Sequence, residues 1–237
     1  MTLVVGAVTG ADGDMNHTNI DWQLSDGRKL THTWNPLEGC PRNCSINGKP
    51  WCYARRIHER FNKTPFSVVR IHPERFNDPI KHKKPAVIFV GSMSDIEFWP
   101  TVSVQGVIDV CKRCPKHTFM FLSKSETSYL RPGLAWPSNT MQGLTVTEGG
   151  EHSMHMVYHL ANDVPRPFLS IEPLLGEFTR LVPPEIERVI AGSMSGPGAV
   201  PVQQSWVDSI KANVPADKIH WKGGKANVQL RRMAGVA

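Results

Sequence analysis

The chain reads as an α/β protein, a full or partial (β/α) barrel of about six or seven parallel strands, and three observations point there. Short apolar runs alternate with helix-spaced stretches along most of the 237 residues. Each run ends in small or polar residues, and one tetrapeptide, Gly-Ser-Met-Ser, recurs at two of those ends, 91–94 and 192–195. Strand and helix in alternation call for a parallel sheet with helical crossovers. A doubly wound open sheet is the alternative arrangement of the same units.

The first strand is expected at Leu30–Trp34, ahead of a cysteine-bearing loop and a helix over 52–62. Runs at 86–90, 118–122, 141–146, Pro167–Ile171, Arg188–Ala191 and 218–221 follow, and at this length, rich in Val, Ile and Phe, they favour strand over helix. Helical spacing occupies 102–114, with Val104, Val107, Ile108 and Cys111 on one face, then 151–162 and 202–212. Residues 1–17 read as a loose arm, its Gly, Asp and Asn content continuing to about Leu30 with a short strand near 20–24. Residues 224–237 read as a basic, frayed tail. No linker interrupts the chain, so one domain over 1–237 is expected.

A hydrophobic content of 40% is that of a globular protein, and no run of eighteen apolar residues suits a membrane span. The first residues carry no basic segment before Asp12 and Asp14, which makes a signal peptide a poor fit and a cytoplasmic protein the expectation. Five cysteines, an odd number, match thiolate ligands better than a secreted disulfide framework. The formal charge of +6 suits a phosphate-bearing partner, yet a solvated basic face would look the same.

The strongest local signal is Cys40-Pro-Arg-Asn-Cys44, then seven residues, then Cys52-Tyr53-Ala54. Three thiolates in a Pro- and Gly-containing loop between strand and helix can wrap a metal or a cluster. A [4Fe–4S] cluster held by three cysteines keeps one iron open to the amine and carboxylate of S-adenosylmethionine, whose reductive cleavage yields a deoxyadenosyl radical. Three cysteines with His58 or His32 would instead make a structural zinc site, and spacing alone does not separate the two. Arg42 and Lys49 are placed to offset thiolate charge. The pair Cys111-x-x-Cys114 falls at the far end of a helix, away from the strand ends that form active sites on barrels, and reads as structural.

Beyond the cysteines, Thr33-Trp34-Asn35-Pro36, Gly39-Cys40, Cys52-Tyr53-Ala54, His72-Pro-Glu-Arg-Phe76, Ile88-Phe-Val-Gly-Ser-Met-Ser-Asp95, His117-Thr-Phe119 with Ser123-Lys124, Phe168-Leu-Ser-Ile-Glu-Pro-Leu-Leu-Gly176 and Ser195-Gly-Pro-Gly198 stand in order. Together they resemble a phage-encoded, three-cysteine-motif family of radical S-adenosylmethionine type, distantly similar to spore photoproduct lyase, over about residues 18–222. Family members usually read Cys-x7-Cys-x2-Cys. Here the order is Cys-x3-Cys-x7-Cys, which resembles the Cys-x3-Cys start of the wider superfamily with an insertion at 45–50. Ser193-Met194 also departs from the Gly-Glu more usual before Ser-Gly-Pro-Gly.

The resemblance implies that Cys40, Cys44 and Cys52 ligate the cluster. Trp51, before the third cysteine, resembles the aromatic that lies near the adenine, and Tyr53 is assigned with it. Gly91, Ser92, Ser94 and Asp95 follow the second strand, where the superfamily binds the amino and carboxyl groups of S-adenosylmethionine. Lys124 would hold carboxylate and Glu172 ribose, with Ser170 assisting. Glu148 is a further residue that could face substrate, and Trp34, Trp99 and Trp136 read as packing. A nucleotide or nucleic acid is the substrate class that the charge and the phage resemblance suggest, with an electron donor and a second phage-encoded protein as partners. The competing readings are a nucleic-acid- or protein-binding protein with a structural zinc loop, and hydrolysis by Glu148, Glu172 or Asp95, for which no paired spacing exists.

Overall fold

A computed structural model describes residues 15–196 and 198–236, with the backbone of Val4–Val5. Eight strands form the main sheet: β1 (Asn16–His17), β2 (Leu30–Trp34), β3 (Val87–Val90), β4 (Thr118–Ser123), β5 (Thr140–Thr145), β6 (Pro167–Ile171), β7 (Arg188–Ala191) and β8 (Ile219–Trp221). They lie side by side in the order β8-β7-β6-β5-β4-β3-β2-β1. Every pairing from β2 to β8 is parallel, and only β1 runs antiparallel to its neighbour. Spatial order follows chain order without a reversal, so there is no switch point of the doubly wound kind. Among the described residues no ladder joins β8 back to β1 or β2, and the sheet is open by hydrogen bonding.

Five helices matter for the layout: α1 (Tyr53–Phe61), α2 (Thr101–Arg113), α3 (Glu151–Asp163), α4 (Gln204–Asn213) and α5 (Val228–Ala234). The strand alternation sorts side chains into two cores. Ile88, Val90, Phe119, Phe121, Leu144, Leu169 and Val189 face the helices and pack on Val107 and Ile108 of α2, Val157 and Leu160 of α3, and Val207 and Ile210 of α4. On the other face Val87, Phe89, Met120, Met141, Phe168 and Ile190 gather around Trp22 and Leu24. The Trp22 ring stands 4.6 Å from Phe89 and 5.9 Å from Phe168, so the N-terminal segment plugs one end of this inner face.

Two expectations change. Residues 20–24 form no strand; beyond an isolated bridge from Gln23 to Lys29, the segment bends back at Gly27 and serves as the plug. As the helix spacing implied, the connections β4 to β5 and β6 to β7 carry no α-helix, and Pro132 and Pro137 in one and Pro173, Pro183 and Pro184 in the other remove donors a helix needs. The C-terminal tail is ordered: α5 buries Leu230 and Ala234 against the helix-side core. Most of the arm at 1–17 lies outside the described residues, which begin again at Met15.

Candidate metal and cofactor site

The loop after β2 is anchored at its first cysteine by backbone bonds on both sides. Gly39 N donates to Met93 O at 3.0 Å and Cys40 N to Phe66 O at 2.8 Å. The insertion at 45–50 is a β-hairpin, Ser45–Ile46 paired with Lys49–Pro50. Its turn is Asn47-Gly48, both with positive φ (51° and 70°), the conformation a two-residue type I′ turn demands. Trp51 N then donates to Cys44 O at 2.9 Å, so the excursion ends beside where it began. Six intervening residues of hairpin therefore separate Cys44 from Trp51 along the chain but not in space.

Cys52 is the N-cap of α1, its Sγ accepting from Arg55 N at 3.4 Å. α1 is held from below by a buried polar cluster. His58 Nδ1 lies 2.5 Å from Glu38 Oε1 and its Nε2 lies 2.8 Å from Thr64 O, while His72 Nε2 stands 3.5 Å from the other oxygen of Glu38. These contacts with His72 first, and His58 next, hold the Glu38 carboxyl down to about 2 against the cost of its burial.

Cys40, Cys44 and Cys52 face one cavity of about 310 Å³ at the C-terminal ends of the parallel strands, on the inner side of the sheet. The nine residues expected to bind cofactor, Trp51, Tyr53, Gly91, Ser92, Ser94, Asp95, Lys124, Ser170 and Glu172, line the same cavity. All five cysteines are free thiols. Burial pushes the Cys40 thiol up to about 11, with Asp95, Cys44 and Cys52 adding to the effect. Burial also raises Cys44, opposed first by the Lys124 charge. Lys124 thus supplies the compensation expected of Lys49, which is exposed on the hairpin. Arg42 is ion-paired with Glu97, and its Nε, buried without a hydrogen bond, is 4.0 Å from Asp95 Oδ2.

Several of these residues are already bonded to the fold. Ser94 Oγ donates to Leu37 O at 3.2 Å and accepts from Trp99 Nε1 at 3.0 Å. A Cβ on Gly91 would stand 2.8 Å from the Trp99 ring, so packing alone requires glycine there. Asp95 accepts from Ser123 Oγ at 2.6 Å and from Lys124 N at 3.2 Å, tying the end of β3 to the end of β4, and burial raises its pKa. Ser92 Oγ donates to Asn35 Oδ1, and Ser92 O accepts from Tyr53 Oη at 2.5 Å. Burial of that hydroxyl raises the Tyr53 pKa, although the ring's edge is open to solvent. On the far side Lys222 Nζ donates to Glu172 Oε1 at 2.5 Å.

Other expected residues lie elsewhere. His58 has both ring nitrogens engaged and His32 sits on β2 against His17 and His82; neither lines the cavity, so the histidine of a Cys3His zinc set has no candidate there. Glu148 packs beside Gly176 outside the cavity. Trp34 and Trp99 are buried packing residues, as is most of Trp136. Among the described residues no three His, Cys, Asp or Glu side chains are placed to close around a single metal ion. Lys222, Arg56 and Ser195 line the cavity and were not among the expected ligands. Lys222 follows the last strand directly and Ser195 ends the second Gly-Ser-Met-Ser, so strand-end position was the available signal.

The elements and cavity define an α/β protein with a thiol-bearing pocket at the carboxyl edge of a parallel sheet. Residues 17–225 match the model of the family described as "Protein of unknown function (DUF5131)", and the chain belongs to that family. No curated protein and no solved structure matches it.

Proposed function

We propose that the protein is a radical S-adenosylmethionine enzyme of the partial-barrel kind, acting in a reducing cytoplasm with an external electron donor. One observation carries the reading: three thiols and nine residues assigned to cofactor binding from the sequence line a single cavity. The donor set fits an iron–sulfur group. Thiolates are soft ligands, the three come from one short loop, and a chain bearing three of them leaves one corner of a cuboidal cluster open. One zinc ion would draw its sulfurs to within about 4 Å of one another, given Zn–S bonds of about 2.3 Å. As placed, the described side chains form no closed set around one ion.

When bound, such a cluster would supply the electron that cleaves S-adenosylmethionine to methionine and a 5′-deoxyadenosyl radical. The chain's own residues bind and orient. Lys124 presents an ammonium beside Cys44 and can pair with a carboxylate. Ser92 and Ser170 offer hydroxyls, and Glu172, already neutralised by Lys222, can accept from ribose hydroxyls without leaving a buried lone charge. Trp51 gives the adenine an apolar face, and Ile20, Trp22, Phe89 and Leu122 keep water from the inner wall.

Anaerobic reconstitution with iron and sulfide, followed by dithionite and S-adenosylmethionine, tests the reading. The expected result is about four irons per chain, a brown protein and 5′-deoxyadenosine. A colourless protein with one zinc, or a fully loaded cluster that yields no deoxyadenosine, overturns it.

A further inference from the structure

α1 leaves the cavity rim carrying a side that the fold does not use. Ala54 and His58 turn inward, whereas Tyr53, Ile57 and Phe61, four residues apart, expose 43%, 47% and 73% of their surface. Four residues of helix advance about 6 Å, so the three form a ridge about 12 Å long. Arg56 and Arg60 flank it, and the Arg60 guanidinium lies 5.4 Å from the centre of the Phe61 ring. The other charged groups of the helix are Arg55 and Glu59, paired with each other at 3.7 Å, so the ridge itself is net positive.

The exposed tyrosine, isoleucine and phenylalanine contribute no burial to the fold, and three apolar side chains in one row are too narrow for a standard protein interface of about 800 Å² per partner. Two rings with an isoleucine between them, flanked by two guanidinium groups, suit a different occupant, in which flat apolar faces and negative charges repeat along a line. The ridge also has a direction. Its inner end, Tyr53, and Arg56 line the cavity, while Phe61 stands at the outer end.

We infer that the Tyr53–Ile57–Phe61 ridge with Arg56 and Arg60 is a docking surface for single-stranded nucleic acid, which would lead a nucleotide into the cavity. A base of the strand stacks on Phe61 and its neighbour rests against the Ile57 side chain, while the phosphates pair with the two arginines. A base turned out of the strand passes Tyr53 to reach the cavity, as chemistry on a base requires. The inference rests on the cavity being where substrate reacts, but the docking itself needs no cluster.

The test uses the full chain without iron and fluorescein-labelled fifteen-nucleotide single-stranded DNA and RNA, with a blunt duplex of the same length beside them. Anisotropy should show one of the single strands bound more tightly than duplex. Affinity should fall with salt at a log–log slope near −2, as for two to three phosphates released. Phe61→Ala and Arg60→Gln should each weaken binding about tenfold, with circular-dichroism melting unchanged because both side chains are exposed. Equal binding of duplex and single strand with no effect of Phe61→Ala would show bulk charge alone and overturn the inference. So would unchanged oligonucleotide binding if the same variants slowed reduction of the reconstituted protein by an acidic flavodoxin-class donor, since the ridge would then serve a protein. Strand binding without deoxyadenosine formation would sink the enzyme reading and leave the ridge standing; the reverse would sink the ridge alone.

Discussion

The chain holds two groups of cysteines, and their surroundings are opposite. Cys40, Cys44 and Cys52 sit at the carboxyl edge of the sheet on a loop, facing a cavity beside charged and hydroxyl groups. Cys111 and Cys114 sit at the end of α2, among the side chains of the helix-side core. Burial raises the Cys111 thiol far above its ordinary range. Around that second pair the polar work is done by backbone: Asn139 Nδ2 donates to the carbonyls of Cys111, Cys114 and His117 at 3.0, 3.1 and 3.2 Å. Whether a thiol meets a cavity or the core therefore follows from which end of a strand its segment adjoins. Both groups have the close cysteine spacing that can hold a metal, and it is the loop group that lines a cavity among the described residues.

The contrast can be broken by substitution, starting with the loop. Changing Cys40, Cys44 or Cys52 to alanine should bring bound iron to background and cut deoxyadenosine formation by more than about a hundredfold, read by iron assay and chromatography. Cys44 retaining full iron as alanine would remove it from the ligand set. Next in size is the bolt beneath the loop. A Glu38 carboxyl held at about 2, against an ordinary 4.5, contributes stability that is full above pH 4.5 and is lost as pH falls through 2. That share amounts to about 3 kcal/mol, so urea midpoints should decline over this window, and Glu38→Gln should flatten the decline.

At the other end, Asn139→Ala removes a side-chain donor shared by three carbonyls, two of which, Cys111 O and Cys114 O, still accept from the backbone N–H groups of Cys114 and His117. It should cost about 1 kcal/mol in urea unfolding with iron content unchanged. Cys111→Ala should cost about 1 kcal/mol by leaving a small void, again with iron unchanged. If either variant lost iron, the two groups would not be independent. The smallest expected effect comes from exchanging the hairpin at 45–50 for one glycine. Cross-strand neighbours such as Cys44 and Trp51 are about 5.5 Å apart, a gap one residue spans, so iron stoichiometry should hold.

Much of this was legible in the residues. Leu30–Trp34, Pro167–Ile171 and Arg188–Ala191 are strands with the expected ends, because apolar runs bounded by polar residues have few other ways to be buried. The cavity walls were readable for the same reason: parallel strands deliver their terminators to one edge. What stayed hidden depends on distant partners. Ser94 and Asp95 look like free ligand groups, yet Trp99 and Ser123 already hold them, and no local pattern announces that. The plug formed by Trp22 and Leu24 has strand-like composition but finds its neighbours on Phe89 and Phe168. The tail's helix depends on burying Leu230, a contact set by α4 rather than by the tail itself.

The Asn47-Gly48 hairpin separates contour length from reach. Because its two arms zip together, residues can be added or removed there in pairs while both flanking thiols stay put. The number of residues between Cys44 and Cys52 is consequently loosely constrained, and the closing bond from Trp51 N to Cys44 O is what the pocket needs to keep its shape.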